Sequence, residues 1–167
     1  MPPVPARQAY QLHLQVQHAP HAVWRRLLVA DTTTLAQLHR IVQTALGWYA
    51  PAPYWLEVAG QRYGQPDPDH AEDTTMDARR YTIGQLLQAG AVPLRYSYVQ
   101  GDDTWQARLR LEAQQPISAT LQLPDCLDGR GQTDSSCFDL AAARRRVQAL
   151  QLLPTPSATV TKVAETV

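Results

Sequence analysis

The chemistry available to this chain rests on a few side chains. Its five histidines, His13, His18, His21, His39 and His70, belong to no HExxH motif and form no pair at metal-ligand spacing on one regular element. His13 takes a polar strand position, His18 and His21 flank a turn, His39 lies on or beside the wet side of a helix, and His70 sits in an acidic loop. All five are read as surface histidines. Cys126 and Cys137 fall in LPDCLDGRGQTDSSCFDL. Two thiolates supply half of a zinc site, and Asp102 and Asp103 are the carboxylates that would join them in a metal or enzyme centre. No second cysteine pair exists and no histidine lies near in sequence, so two ordinary thiols are the expectation, and no cofactor is expected. Asp67, Asp69, Glu72, Asp73 and Asp77 lack the spacing and central glycine of an EF-hand and read as solvation.

Arginine offers a different chemistry. Arg95, Arg108 and Arg110 recur at the polar positions of one hairpin, and Arg144, Arg145 and Arg146 stand together on the last helix. Such positive stripes meet phosphates, though more often they are solvated and paired with acids. No stacking aromatics are expected to interleave with them on that face, which weighs against single-stranded nucleic acid.

The rest of the composition bounds the setting. The chain has 167 residues, 44% apolar content and a formal net charge of zero, which suits one domain and gives no overall pull toward nucleic acid or an anionic membrane. No apolar run approaches the length of a membrane span, and MPPVPARQAY has no signal-like core, so a cytoplasmic protein with no membrane association is expected. One lysine against fourteen arginines, with no asparagine, reads as coding bias.

The elements that must position these residues follow from hydrophobic period. In DTTTLAQLHRIVQTALGW, Thr34 and Gln37 make a capping box; Leu35, Leu38, Ile41, Val42, Ala45 and Leu46 form one apolar stripe, and Gly47 stops the helix. Before it, Tyr10, Leu12, Leu14 and Val16 alternate with polar residues, and VWRRLLV returns as an antiparallel strand from Val23 to Val29. After it come a strand at Tyr54, Leu56 and Val58 that turns into QRYG, a loop from Gln65 to Asp77, and a short helix from Thr82 to Ala89. A hairpin then carries Leu94, Tyr96, Tyr98 and Trp105, Ala107, Leu109, Leu111 on its apolar face. A further strand is expected at Ile117, Ala119, Leu121 and Leu123, then a helix over Phe138 to Leu152. This order predicts an α+β fold, a mainly antiparallel sheet of about five to six strands with helices on one face. Residues 1–8 read as a disordered lead, 9–153 as the domain, and 154–167 as a flexible tail.

The order of YQLHLQV, VWRRLLVADTTTLAQLHRIVQTALGW, VAGQRYG and LRYSYVQGDDTW resembles the plasmid pRiA4b third-open-reading-frame family, over about residues 8 to 140. That family includes passenger proteins of some bacterial insertion elements. The resemblance implies an α+β fold and a bacterial or mobile-element setting. Typical members carry HxHxF on the strand after the GW pair and YDFGDxWxH at the later hairpin. Here those histidine positions are Ala52, Tyr54 and Ala107, the phenylalanine is Leu56, and the hairpin is one residue longer. The cysteine segment keeps Cys126 and Cys137 but lacks the intervening cysteine. The resemblance implies that imidazoles converging beside the core in relatives are replaced here by packing. Trp48, Tyr54, Tyr96, Tyr98 and Trp105 then line an aromatic pocket or, the preferred reading, fill core.

The leading functional reading is a non-catalytic binding or accessory domain that meets a protein partner, or DNA, through a face of the sheet. A metal protein or enzyme using Asp102, Asp103, Cys126 and Cys137 is the first alternative. Nucleic-acid binding through the arginines is the second.

Overall fold

The computed structural model describes residues 8–48, 52–87, 93–134 and 136–150. Strand β1 (Gln8–Val16) buries Tyr10, Leu12, Leu14 and Val16 and pairs antiparallel with β2 (Trp24–Ala30), Leu12 opposite Leu27. Gln8, assigned to the lead, is already in the ladder opposite Pro116. The rest of the lead and the proposed tail lie outside the described residues.

Helix α1 (Leu35–Leu46) forms as its sequence dictates. Thr34 Oγ1 accepts from the Gln37 amide at 3.1 Å, and Gln37 Oε1 accepts from the Thr34 amide at 2.9 Å. A cap of this kind contributes about 1 kcal/mol. Gly47 closes the helix at φ 77, where a Cβ would be strained, and the six stripe residues are all buried. They pack on the apolar face of the sheet, with Trp48 following them into the core.

The sheet is larger than expected. Its order is β5-β4-β3-β6-β7-β1-β2-β8, eight strands rather than five to six. The strands are β3 (Tyr54–Val58), β4 (Gln61–Gly64), β5 (Met76–Asp77), β6 (Leu94–Gln100), β7 (Asp103–Pro116) and β8 (Asp125–Arg130). Every pairing is antiparallel except the short parallel contact of β4 with β5. Two strands escaped the sequence reading because neither alternates: β5 has two residues, and β8 (DCLDGR) is polar at the sheet's edge. Conversely, Ile117 to Leu123 alternates without forming a strand. It connects β7 to β8 through turns and a cis Leu123–Pro124 bond, and β7 itself runs on to Pro116.

Among the described residues two more α-helices follow, along with a 3-10 turn over Ala78–Arg80. Helix α2 (Ile83–Leu86) repeats the capping box with Thr82 and Gln85 and buries Ile83; the rest of the expected Thr82–Ala89 helix from 88 onward lies outside the described residues. Helix α3 (Leu140–Gln148) is shorter than the expected Phe138–Leu152, starts from Asp139 as N-cap, and packs against β8 and α1. The residues of that expectation from 151 on lie outside those described. No described helix is long and apolar enough to cross a membrane.

Candidate functional site

Register turns the polar alternation of the strands into a surface. Following the pairings across the sheet, Arg62, Glu57, Arg95, Arg108, Gln15, Trp24 and Arg130 occupy one row on the face away from α1. The neighbouring row holds Arg110, His13, Arg26 and Asp128. Neighbouring strands lie about 4.8 Å apart, so the first row spans roughly 29 Å.

The charges on this face do not balance. Arg26 pairs with Glu112 at 3.0 Å and with Asp128 at 3.7 Å, and Arg62 pairs with Glu57 at 3.5 Å. Arg95, Arg108, Arg110 and Arg130 are exposed and have no carboxylate within ion-pair distance among the described residues. Arg95 and Arg108 stand directly opposite one another. Like charges so placed destabilise a sheet, by an amount on the order of a few tenths of a kcal/mol.

Aromatics do interleave with these cations, contrary to the sequence reading. Trp24 is half-buried on the arginine row, with His13 stacked on it at 5.4 Å and the Arg26 guanidinium 5.6 Å from its ring. Trp55 lies on the same face with Arg62 over its ring at 4.5 Å. The signal was present, since period two puts Trp24 in phase with Arg26 and Trp55 in phase with Glu57.

The remaining arginines are elsewhere. Arg144 makes a two-pronged bond to Asp125, with Nε to Oδ1 at 3.2 Å and Nη2 to Oδ2 at 2.9 Å, and Gln148 adds a third at 3.0 Å. This ties α3 to β8. Arg145 and Arg146 are exposed on α3, in the helical layer and not on the arginine face. Sequence adjacency of the triplet thus gave no clue to its division of labour.

The five aromatic residues named from sequence gather on the opposite face of the sheet. Trp48 stacks on Tyr98 at 5.5 Å and 7°, Trp105 lies 5.8 Å from Trp48, and Tyr54 and Tyr96 follow. His39 enters the cluster, which corrects its reading as a surface histidine. Its ring lies flat on Tyr54 at 3.5 Å, and its Nδ1 meets the Tyr96 hydroxyl at 2.7 Å. The clue was its spacing, four residues after Leu35 and three before Val42, on the margin of the apolar stripe. Burial, then the charge of Arg40, lowers the His39 pKa to about 4. Burial raises Tyr54 to about 12 and Tyr96 further still, so all three rings are uncharged at neutral pH.

The proposed metal ligands are dispersed. Cys126 is fully buried on β8 opposite Leu27, and burial raises its thiol to about 11. Cys137 is exposed in the segment before α3, and both thiols are free. Asp102 and Asp103 lie at the β6–β7 turn, whereas Cys126 belongs to the far edge of the sheet. Among the described residues no three His, Cys, Asp or Glu side chains come together in a metal-holding group. In the acidic loop, Asp73 is held down to about 2 by hydrogen bonds from the Thr75 side chain and from the amides of Asp67 and Thr75.

One buried charge was missed altogether. Arg25 is fully buried: its Nε donates to Ala45 O at 2.8 Å, Nη1 to Trp24 O and Arg130 O at 2.8 and 3.1 Å, and Nη2 to Gln132 Oε1 at 2.8 Å. Its guanidinium lies 3.9 Å from the centre of the Phe138 ring. Gly129 makes room for this stack, since a Cβ there would come within 2.8 Å of Phe138 and 2.9 Å of Arg25. Burial brings the guanidinium pKa down to about 10.

The model of the plasmid pRiA4b ORF-3-like proteins matches residues 8–137. This chain belongs to that family. The pRiA4b-like chain is 31% identical over 111 residues to the uncharacterized protein y4hQ of Sinorhizobium fredii (strain NBRC 101917 / NGR234). That match takes in 66% of this chain and 56% of y4hQ, so the chain spans little more than half the length of that relative. Its fold is similar to that of a protein of unknown function, MM3350 from Methanosarcina mazei Go1, whose crystal structure superposes with a TM-score of 0.67 at 22% identity over 75% of this chain and 71% of that one.

Proposed function

We propose that this chain is a non-catalytic binding domain whose arginine-bearing sheet face takes an anionic partner. The observation that carries this reading is the cross-strand pair Arg95–Arg108, two exposed like charges with no carboxylate in ion-pair range among the described residues. Such a pair weakens the sheet and is relieved by an anion. Arg110 and Arg130 extend the same field on a chain whose formal net charge is zero. A local patch, not a global charge, is therefore the attracting element. The other two clusters suit structure better than catalysis: His39 is desolvated and hydrogen-bonded within stacked rings, and Cys126 is a buried, protonated thiol. The plasmid origin carried in the family's name fits an accessory binding role of this kind.

Retention on immobilised heparin, a generic polyanion, tests the reading. The protein is expected to bind at low salt and to elute as ionic strength rises, and the Arg95→Glu/Arg108→Glu variant is expected to pass through. An Arg79→Glu/Arg80→Glu variant, altered beside Asp77 on the 3-10 turn, should still be retained. Flow-through of the unaltered protein at low salt, or equal retention of both variants, refutes it.

A further inference from the structure

The β1–β2 turn adds a feature that the charge of the sheet face does not by itself require. His18 adopts a left-handed conformation at φ 60, and Gln17 donates its amide to Gln106 O at 2.7 Å, which folds the turn against β7. A cavity of about 220 Å³ results, lined by Gln17, His18, Arg95, Gln106, Ala107 and Arg108. Among the described residues its lining holds two arginines, a histidine and two glutamines, and no acidic residue. Such a set offers many N–H donors and a surplus of positive charge, which suits an oxyanion with several acceptor oxygens.

We propose that this cavity is a phosphate-binding site and that the phosphate belongs to a single-stranded nucleic acid. The assignment rests on the anion-binding reading of the sheet face and names its ligand. Arg95 and Arg108 face each other across one inter-strand spacing, so both forks address the same tetrahedral group. Further cations lie nearby, Arg110 two residues along β7 and Arg130 farther along the row, for neighbouring phosphates. Trp24 lies two strands from Arg108 on that row, about 10 Å away, where a base can stack. A sheet face roughly 29 Å wide does not enter a major groove of about 12 Å, whereas an unpaired strand can lie across it.

Binding of a fluorescein-labelled oligothymidylate, followed by anisotropy between 25 and 200 mM NaCl, tests the site. One shared phosphate predicts that the Arg95→Gln/Arg108→Gln double variant lowers the slope of log affinity against log salt by about 0.7 in all, and that each single variant, which leaves one guanidinium on the phosphate, lowers it by less. Orthophosphate is expected to compete, a duplex of equal length to bind more weakly, and Arg79→Gln to leave the curve unchanged. Additive slope losses near 1.4, or unaltered binding by the double variant, overturn the shared site. Heparin retention without oligonucleotide binding overturns the nucleic-acid assignment and leaves the anion-binding face standing; loss of both overturns both. Orthophosphate binding with no oligonucleotide binding gives the cavity a free phosphate instead, and likewise overturns the nucleic-acid assignment.

Discussion

The Nε of Arg25 donates to the carbonyl of Ala45 across 2.8 Å, so a strand side chain satisfies a carbonyl in the last turn of α1. The same guanidinium also serves Trp24 O and Arg130 O, neither of which needs a charge, only N–H donors in a fixed fork.

Replacing Arg25 therefore removes donors from one buried and two part-buried carbonyls. Arg25→Met is expected to destabilise the fold by roughly 3 kcal/mol, since lost hydrogen bonds outweigh the relief of desolvating a cation. Arg25→Lys should rescue little of it, because a single ammonium cannot reproduce the fork or the stack on Phe138. Urea unfolding measures both, and a Lys variant as stable as the parent contradicts this account.

Arg108 has the opposite sign. Exposed and opposite Arg95, it weakens the sheet it sits in, so Arg108→Thr should raise stability by a few tenths of a kcal/mol at low salt while weakening anion binding. Screening identifies the cause: in 0.5 M NaCl much of the gain should disappear. A gain unchanged by salt would point to strand propensity instead.

His39 makes the fold acid-sensitive in a defined window. Its folded pKa of about 4 lies below the ordinary 6.5, so the unfolded chain binds the proton more readily and stability is lost as pH falls from about 6.5 toward 4. The full effect is on the order of 3 kcal/mol. His39→Phe, which keeps the ring on Tyr54, should flatten that part of the stability profile, leaving the carboxylates Asp73, Asp77 and Glu112 to act at lower pH. A His39 imidazole NMR signal that titrates near 6.5 in the folded protein would be inconsistent with the buried geometry.

The two thiols should differ sharply in reactivity. Cys137 is exposed and Cys126 is buried with its thiol raised to about 11, so alkylation of the native protein at pH 8 should label Cys137 alone, and denaturant should expose the second site. Peptide mapping by mass spectrometry distinguishes this from equal labelling.

Short-range pattern determined the pieces that depend on near neighbours. The Thr34–Gln37 box, the α1 stripe and the alternation in β1, β6 and β7 are relations among residues two to four positions apart, and each formed as written. That alternation also put Arg95, Arg108 and Arg110 on one face. The same period on β2 puts Arg25 inward, in phase with Leu27, although a charge there ran against the usual expectation for a core.

Tertiary structure decided which of these pieces meet. The β6–β7 hairpin is inserted between β3 and β1, and only that order sets Arg108 beside Gln15 on the row that leads to Trp24 and Arg130. β8 owes its place to β2, since it buries only Asp125 and Cys126, shows no alternation to announce a strand, and becomes one by pairing. His39 likewise needed a partner sheet before its place at the margin of a helix stripe meant burial against tyrosine. Local sequence fixes period and phase, whereas strand order and the neighbours across it come from burying the whole apolar surface at once, a non-local sum that no short window contains.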